Sequence, residues 1–196
     1  MNNKTFLVGA SLCGLALLFF AVFPLTTGEQ LPYRFHEHFY NTLEIARGHI
    51  VGNDFSPVWR SILAGFDVLF DGRTFFAAVY TVLATGGAVF LFLFSKLLKK
   101  LDLPLTDGGK FAVSAFALAF YIKTAVSGTD TALAMPAVLF AALALLRALE
   151  KPSVPTGVSA GLAVSLMLLT RFDTSGFAIT FALVFYFQFN GKDPVS

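Results

Sequence analysis

The sequence predicts an all-α fold: a polytopic transmembrane helical bundle of about six spans, with amphipathic juxtamembrane helices in the first outer loop. Three observations predict it. Of 196 residues, 56% are apolar and only 13% charged, roughly half the charged fraction of about 25% usual in a soluble domain. The apolar residues fall in long runs, several approaching the roughly 20 residues that cross a bilayer. The basic residues collect between alternate runs, as they do in the cytoplasmic loops of membrane proteins.

The remaining composition narrows the class further. Phenylalanine, at 24 residues, suits helices that face lipid. The single cysteine, Cys13, lies inside the first apolar run, so no intramolecular disulfide can form. There is no zinc-type Cys/His spacing and no glycine loop placed to cradle phosphate, and the lysines cluster beside the spans, which gives no support to nucleic-acid binding. The whole chain, 1–196, reads as one transmembrane domain.

The first run, 6–25, is expected to be a retained span. The competing reading is a cleaved signal peptide, whose apolar region is normally about 7–15 residues and ends in an A-x-A-like site; this run is longer and ends in Pro24-Leu25-Thr26-Thr27. The polar stretch that follows, 27–73, has helical patterning of its own. Over 36–48, Phe39, Leu43 and Ala46 share one side, with Glu37, Asn41 and Glu44 on another. Ser56-Pro57 reads as an N-cap followed by proline at the first helical position. Beyond it, Trp59, Ile62, Leu63, Phe66, Leu69 and Phe70 recur at helical spacing. That stripe suits a helix lying in the membrane interface with Trp59 at headgroup depth, or equally one packed on the protein's own spans.

The further spans are 74–94, 111–126, 131–146, 155–169 and 174–189, joined by two tight turns, Ser127-Gly128-Thr129-Asp130 and Arg171-Phe172-Asp173. Runs of about 15 residues cover only about 22 Å, against a hydrocarbon core of about 30 Å, so the turns are expected to sit in a recess below the membrane surface. Gly157 and Gly161 form a GxxxG pattern that would admit a close neighbouring helix. Lys4, Lys96, Lys99, Lys100, Lys110, Arg147, Lys151 and Lys192 all fall on one side if six spans alternate. Positive loops stay cytoplasmic. The expected protein is therefore integral to the cell membrane, with both termini cytoplasmic and loop 27–73 outside, where four arginines are offset by six acidic residues.

This topology gathers Glu37, Glu44, Asp130, Arg171 and Asp173 on the outer face. Plainer roles exist for each. Glu37 and Glu44 can solvate an exposed helix, Asp130 and Asp173 can cap the helices they precede, and Arg171 can be an interface anchor. His36 and His38 flank Glu37 and could assist a metal or a proton transfer, although both cannot share one helix face with it. The convergence of three separate segments, each bearing acid or base at its turn, is what those roles leave unexplained, because charge recessed near lipid is costly and tends to mark function.

The arrangement resembles the C class of membrane glycosyltransferases (GT-C), of the bacterial mannosyl- and arabinosyltransferase kind. In these, an acidic pair follows the first span and opens a loop helix ending in a pattern like A-R-x-L-x-x-G-x, and an S-P-L-W segment begins the next helix. The matching stretches are Phe35-His36-Glu37-His38-Phe39-Tyr40, Ala46-Arg47-Gly48-His49 and Ser56-Pro57-Val58-Trp59. Ser127-Gly128-Thr129-Asp130-Thr131-Ala132-Leu133 is similar to the family's S-G-x-E-T-x-L, and Leu169-Thr170-Arg171-Phe172-Asp173 to its L-T-R-P-D/E. The family's acidic pair is replaced by His36-Glu37, leaving one carboxylate.

The resemblance implies transfer of a sugar from a polyprenyl-phosphate donor to a glycan, lipid or protein acceptor at the outer face of the membrane. Glu37 would be the catalytic base, or would hold a divalent cation against the donor phosphate. Arg171 would contact that phosphate, with His36, His38, Asp130 and Asp173 in support. Because members typically have more spans and often a soluble C-terminal domain, the chain is expected to be the N-terminal part of a larger unit. The alternative is a non-catalytic polytopic membrane protein, a lipid-binding scaffold or a transporter component. Against a transporter, the ionisable groups lie at span ends and no inverted repeat is visible.

Overall fold

The computed structural model describes residues 37–49, 56–126 and 128–190. The expected first span, 6–25, and His36 lie outside the described residues. Those described are helical, with no strand among them: α1 (Glu37–Ala46), α2 (Pro57–Leu69), α3 (Gly72–Lys100), α4 (Asp107–Val126), α5 (Thr131–Glu150), α6 (Val154–Thr170), a 3-10 turn (Phe172–Thr174) and α7 (Ser175–Asn190).

Three of these helices are long and apolar enough to cross a membrane, over Thr74–Lys100, Asp107–Val126 and Thr131–Glu150. This is the signature of a membrane protein. All three helices run past the bounds expected for them, the expected 74–94 extending over Gly72–Lys100. The expected 111–126 begins at Asp107, and the expected 131–146 continues to Glu150, giving 20 residues each. At 1.5 Å per residue that is about 30 Å, the thickness of the hydrocarbon core, so the expected shortness is corrected for these two. The reason is local. Thr106 Oγ1 accepts from Gly109 N–H at 3.1 Å and caps α4 ahead of its apolar run, and Arg147-Ala148-Leu149-Glu150 are good helix formers that carry α5 past the apolar boundary. The shorter apolar helices are α6, with 17 residues, and α7, with 16.

Helix α3 contributes most of the largest buried cluster among the described residues. Val79, Tyr80, Leu83, Phe90 and Leu91 are buried on it, against Tyr121 and Ala125 of α4 and Ala132 of α5. The Tyr121 hydroxyl donates to the Leu83 carbonyl at 2.6 Å, which satisfies its polar end inside an apolar contact. Only 11% of the apolar window of α4 is buried; Phe111, Phe116 and Phe120 face outward on it, as a lipid-facing helix requires.

Helices α5 and α6 meet through small side chains, Ala137, Ala141 and Ala148 on one and Ala160 and Ala163 on the other, with Met167 filling the space between. Small residues let two helices approach closely. The GxxxG pair is not part of this contact. A side chain built at Gly157 or Gly161 would meet nothing within 4 Å, so the packing expected of that pattern is made by alanines on another face of α6.

Helices α1 and α2 of the polar segment fold onto the bundle rather than away from it. Phe39 and Leu43 of α1 are buried with Trp59 and Leu63 of α2 and Phe75 of α3, with the Phe39 ring 6.4 Å from both Trp59 and Phe75. Trp59 is fully buried. Trp59 and Leu63 of the α2 stripe, with Ile62 and Phe66 partly buried beside them, therefore pack against the protein's own helices, while Leu69 and Phe70 at its end are exposed; the placement of Trp59 among lipid headgroups is corrected. Its indole N–H has no hydrogen-bond partner among the described residues.

Candidate functional site

Two turns at one end of the bundle bring three ionisable side chains together. Between α4 and α5, Gly128 adopts φ +67, a left-handed conformation that glycine enters without steric cost, and its N–H donates to Ala125 O at 3.0 Å. The chain then reverses within a few residues and delivers Asp130 to the start of α5. Asp130 is fully buried. Between α6 and α7, Arg171 leaves α6 in an extended conformation, and Thr174 closes the turn by donating its hydroxyl to Arg171 O at 2.6 Å.

The Arg171 guanidinium reaches across both turns. Its Nη1 donates to Asp130 Oδ1 at 2.9 Å and to Thr131 Oγ1 at 2.7 Å, while Nε and Nη2 grip the two oxygens of Asp173 at 2.8 and 2.5 Å. Of the plainer roles, the capping of α5 is corrected, since Asp130 precedes α5 but makes no side-chain cap bond. Asp173 lies in the 3-10 turn with its carboxylate on Arg171. The bond from Arg171 holds the Asp173 carboxyl below its ordinary pKa against a smaller opposing effect of burial. The hydrogen bond to Asp173, with the charge of Asp130, raises that of Arg171. Among the described residues, one cation and two carboxylates give this cluster a balance of −1.

A second motif is tied to the same turn. Ser56 is buried, and its hydroxyl donates to the carbonyl of Thr170 at 2.5 Å, across 114 residues. The expected N-cap bond of Ser56 is absent; its side chain joins the start of α2 to the end of α6 instead. Pro57 does occupy the first turn of α2 as expected.

A third motif closes α1. Gly48, at φ +75, donates to Ile45 O, and His49 N–H donates to Glu44 O, both at 3.0 Å. This pair of bonds terminates a helix through a left-handed glycine. It aims Arg47 at α2, where Nε and Nη2 bind the Asp67 carboxylate at 2.6–3.1 Å, and Nη1 binds Glu44 at 3.1 Å. His49 Nδ1 lies 2.8 Å from Glu44 Oε2. Glu44 has its pKa lowered by His49 first and Arg47 second, and Asp67 by Arg47.

Glu37 is the first residue of α1 and His38 the second; His36 lies outside the described residues, as does Ser127. The structure thus brings together Asp130, Arg171 and Asp173. Sequence reasoning missed Thr131, Asp67 and Thr170 as partners. Spacing carries no signal for contacts between residues 20 to 114 positions apart.

Beside the Arg171 cluster lies a groove of about 460 Å³ between α3, α5 and α7. Phe90, Phe94, Met135, Val138, Leu139 and Phe177 make it apolar along its length, and Thr131, Arg171 and Asp173 make it polar at one end. Among the described residues, no group of three or more His, Cys, Asp or Glu side chains is placed to hold a metal ion. No family model, curated protein or solved structure matches this chain.

Proposed function

We propose that these residues form part of a membrane glycosyltransferase of the C class, which moves a sugar from a polyprenyl phosphate to an acceptor hydroxyl on a glycan, lipid or protein outside the cell. The observation that carries the reading is the joining of the short segments on which the resemblance rests. Ser56 of the S-P-x-W segment bonds Thr170 of the L-T-R-x-D segment, and Arg171 of the latter bonds Asp130 and Thr131 of S-G-x-D-T. Arg47 of the A-R-x segment bonds Asp67 on the helix that S-P-x-W begins. Unrelated matches scattered along a chain have no reason to meet.

The groove supports the same reading, since an apolar channel with a charged mouth suits a ligand with a long hydrocarbon tail and an anionic head. In this reading residues 6–25, α6 and α7 also span the membrane, both termini are cytoplasmic, and 27–73 is outside. Glu37, at the start of α1, takes the proton of the acceptor hydroxyl. The acceptor oxygen bonds to the anomeric carbon as the bond from that carbon to the phosphate oxygen breaks, and the polyprenyl phosphate leaves with the electron pair. Arg171 contacts the departing phosphate, oriented by Asp130 and Asp173, with His36 and His38 supporting Glu37. Because the Arg171 cluster is at −1, phosphate binding requires displacement of Asp173, the more exposed carboxylate, or a divalent cation to neutralise the charge.

Transfer from a polyprenyl-phosphate sugar by the protein reconstituted in vesicles tests this. Glu37→Gln should lower the rate by about 10²–10⁴, the usual range for loss of a general base, and leave donor binding intact. Arg171→Lys should weaken donor binding and turnover together. Glu44→Gln, on the same helix, should retain activity. Wild-type transfer by Glu37→Gln would refute the role of Glu37, and failure of the intact protein to bind the donor would favour the non-catalytic scaffold.

A further inference from the structure

At the opposite end of the bundle, a cleft of about 620 Å³ opens between the last turns of α3 and α5 and the first turns of α6. Lys96, Lys99 and Lys100 line it from α3, and Arg147 and Lys151 from the end of α5. Among the described residues one carboxylate, Glu150, shares the lining, and it is already engaged by Lys100 at 2.6 Å. Lys96 lies over the Phe92 ring at 4.3 Å. Among the described residues, Lys99, Arg147 and Lys151 form no ion pair, and all three are exposed.

Among the described residues, five cations and one carboxylate give this cleft a balance of +4. Cations do stabilise helix C-termini, but each terminus carries only about −0.5 of charge. The two helix ends here account for about −1, so compensation of helix dipoles leaves most of the positive charge unanswered. Deeper in the cleft the lining becomes apolar, with Leu93, Phe140 and Leu143 roughly one to two turns inside the same helices. Both helices are long and apolar enough to span a membrane.

From this gradient, cations at the mouth and hydrocarbon below it along two membrane-spanning helices, we infer that the cleft binds the headgroup of an anionic phospholipid. The phosphate meets Lys99, Arg147 and Lys151, and the upper acyl chain lies on Phe140 and Leu143. A free phosphate would use only the mouth. The inference stands independently of the glycosyltransferase reading, because no residue is shared between the two sites.

The test uses the whole chain purified in uncharged detergent, titrated with phosphatidylglycerol, with phosphatidylcholine and with inorganic phosphate, bound lipid being counted by native mass spectrometry. A single phosphatidylglycerol should be retained, tighter than phosphatidylcholine and more weakly as salt is raised. Replacing Lys99, Arg147 and Lys151 together by Gln should weaken it roughly 100-fold, and each single substitution about five-fold. Lys110→Gln, at the same end but outside the cleft, should bind as wild type. The single variants carry the test should the triple variant fail to fold. Equal binding of the two lipids, unchanged affinity in all the single variants, or displacement of the lipid by inorganic phosphate at matched concentration would overturn it.

Discussion

Arg47, at the end of α1, and Arg171, between α6 and the 3-10 turn, each grip two carboxylates, and their surroundings make these different devices. Around Arg47 the side chains of Glu44 and Asp67 remain 35% and 29% exposed, so water screens the attraction and could replace any partner. Asp130 retains only 1% exposure. Its charge has been removed from water, and the guanidinium is what makes that tolerable. Pairs of the first kind contribute roughly 0–1 kcal/mol. Losing one partner of a buried pair costs about 3–5 kcal/mol, chiefly because the other charge is left stranded. Similar hydrogen-bond lengths thus carry different weight.

The largest expected effect is that Arg171→Ala destabilises the protein by about 3–5 kcal/mol, while Arg47→Ala costs at most about 1 kcal/mol, read as melting of the two variants in the same detergent. Adding Asp130→Asn to Arg171→Ala should recover part of the loss, since the stranded charge disappears with it. Equal melting temperatures for the two arginine variants would break the comparison.

A smaller effect separates the two carboxylates that Arg171 holds. Asp173 is 55% exposed, so Asp173→Asn should cost no more than about 1 kcal/mol. Its folded pKa is lowered by the bond from Arg171, so its stabilisation is present above the unfolded pKa of about 3.9 and fades as the pH falls through the lower folded value. Melting curves of wild type and Asp173→Asn should differ above about pH 5 and converge only once the pH has fallen below the lowered folded value. A gap that persisted at the acid end would mean the carboxylate acts by something other than its charge.

The smallest effect is that of salt. Raising ionic strength toward about 1 M, where screening reaches about 3 Å, should remove most of the difference between wild type and Arg47→Ala and little of that between wild type and Arg171→Ala.

Much of the architecture was legible because hydrophobic burial is written in local pattern. The apolar runs within the described residues became helices, and Arg171, Asp130 and Asp173 fell at the turns where the sequence put them. Hydropathy misjudged the helix ends, since α4 starts at its Thr106 cap and α5 runs on through Arg147; a helix stops where its backbone bonds stop, not where its surface becomes polar. Trp59 was ambiguous because an aromatic stripe suits a protein neighbour as well as a lipid one, and the residues that bury it, Phe39 and Phe75, lie on other helices. Asp130 looked like a cap because its local sequence suits one, and the stronger claim on its carboxylate came from a guanidinium 41 residues away.

The bond between Ser56 and Thr170 also sets a sequence of events in time. Residue 56 is synthesised long before its partner, and at about 5–20 residues per second the intervening 114 residues take roughly 6–23 s to be made. Throughout that interval the start of α2 has no Thr170 carbonyl to bind. This contact of α2 is therefore completed only after α3, α4, α5 and α6 have been made. The site is sealed late in biogenesis, and a ribosome stalled before Thr170 would leave Ser56 waiting.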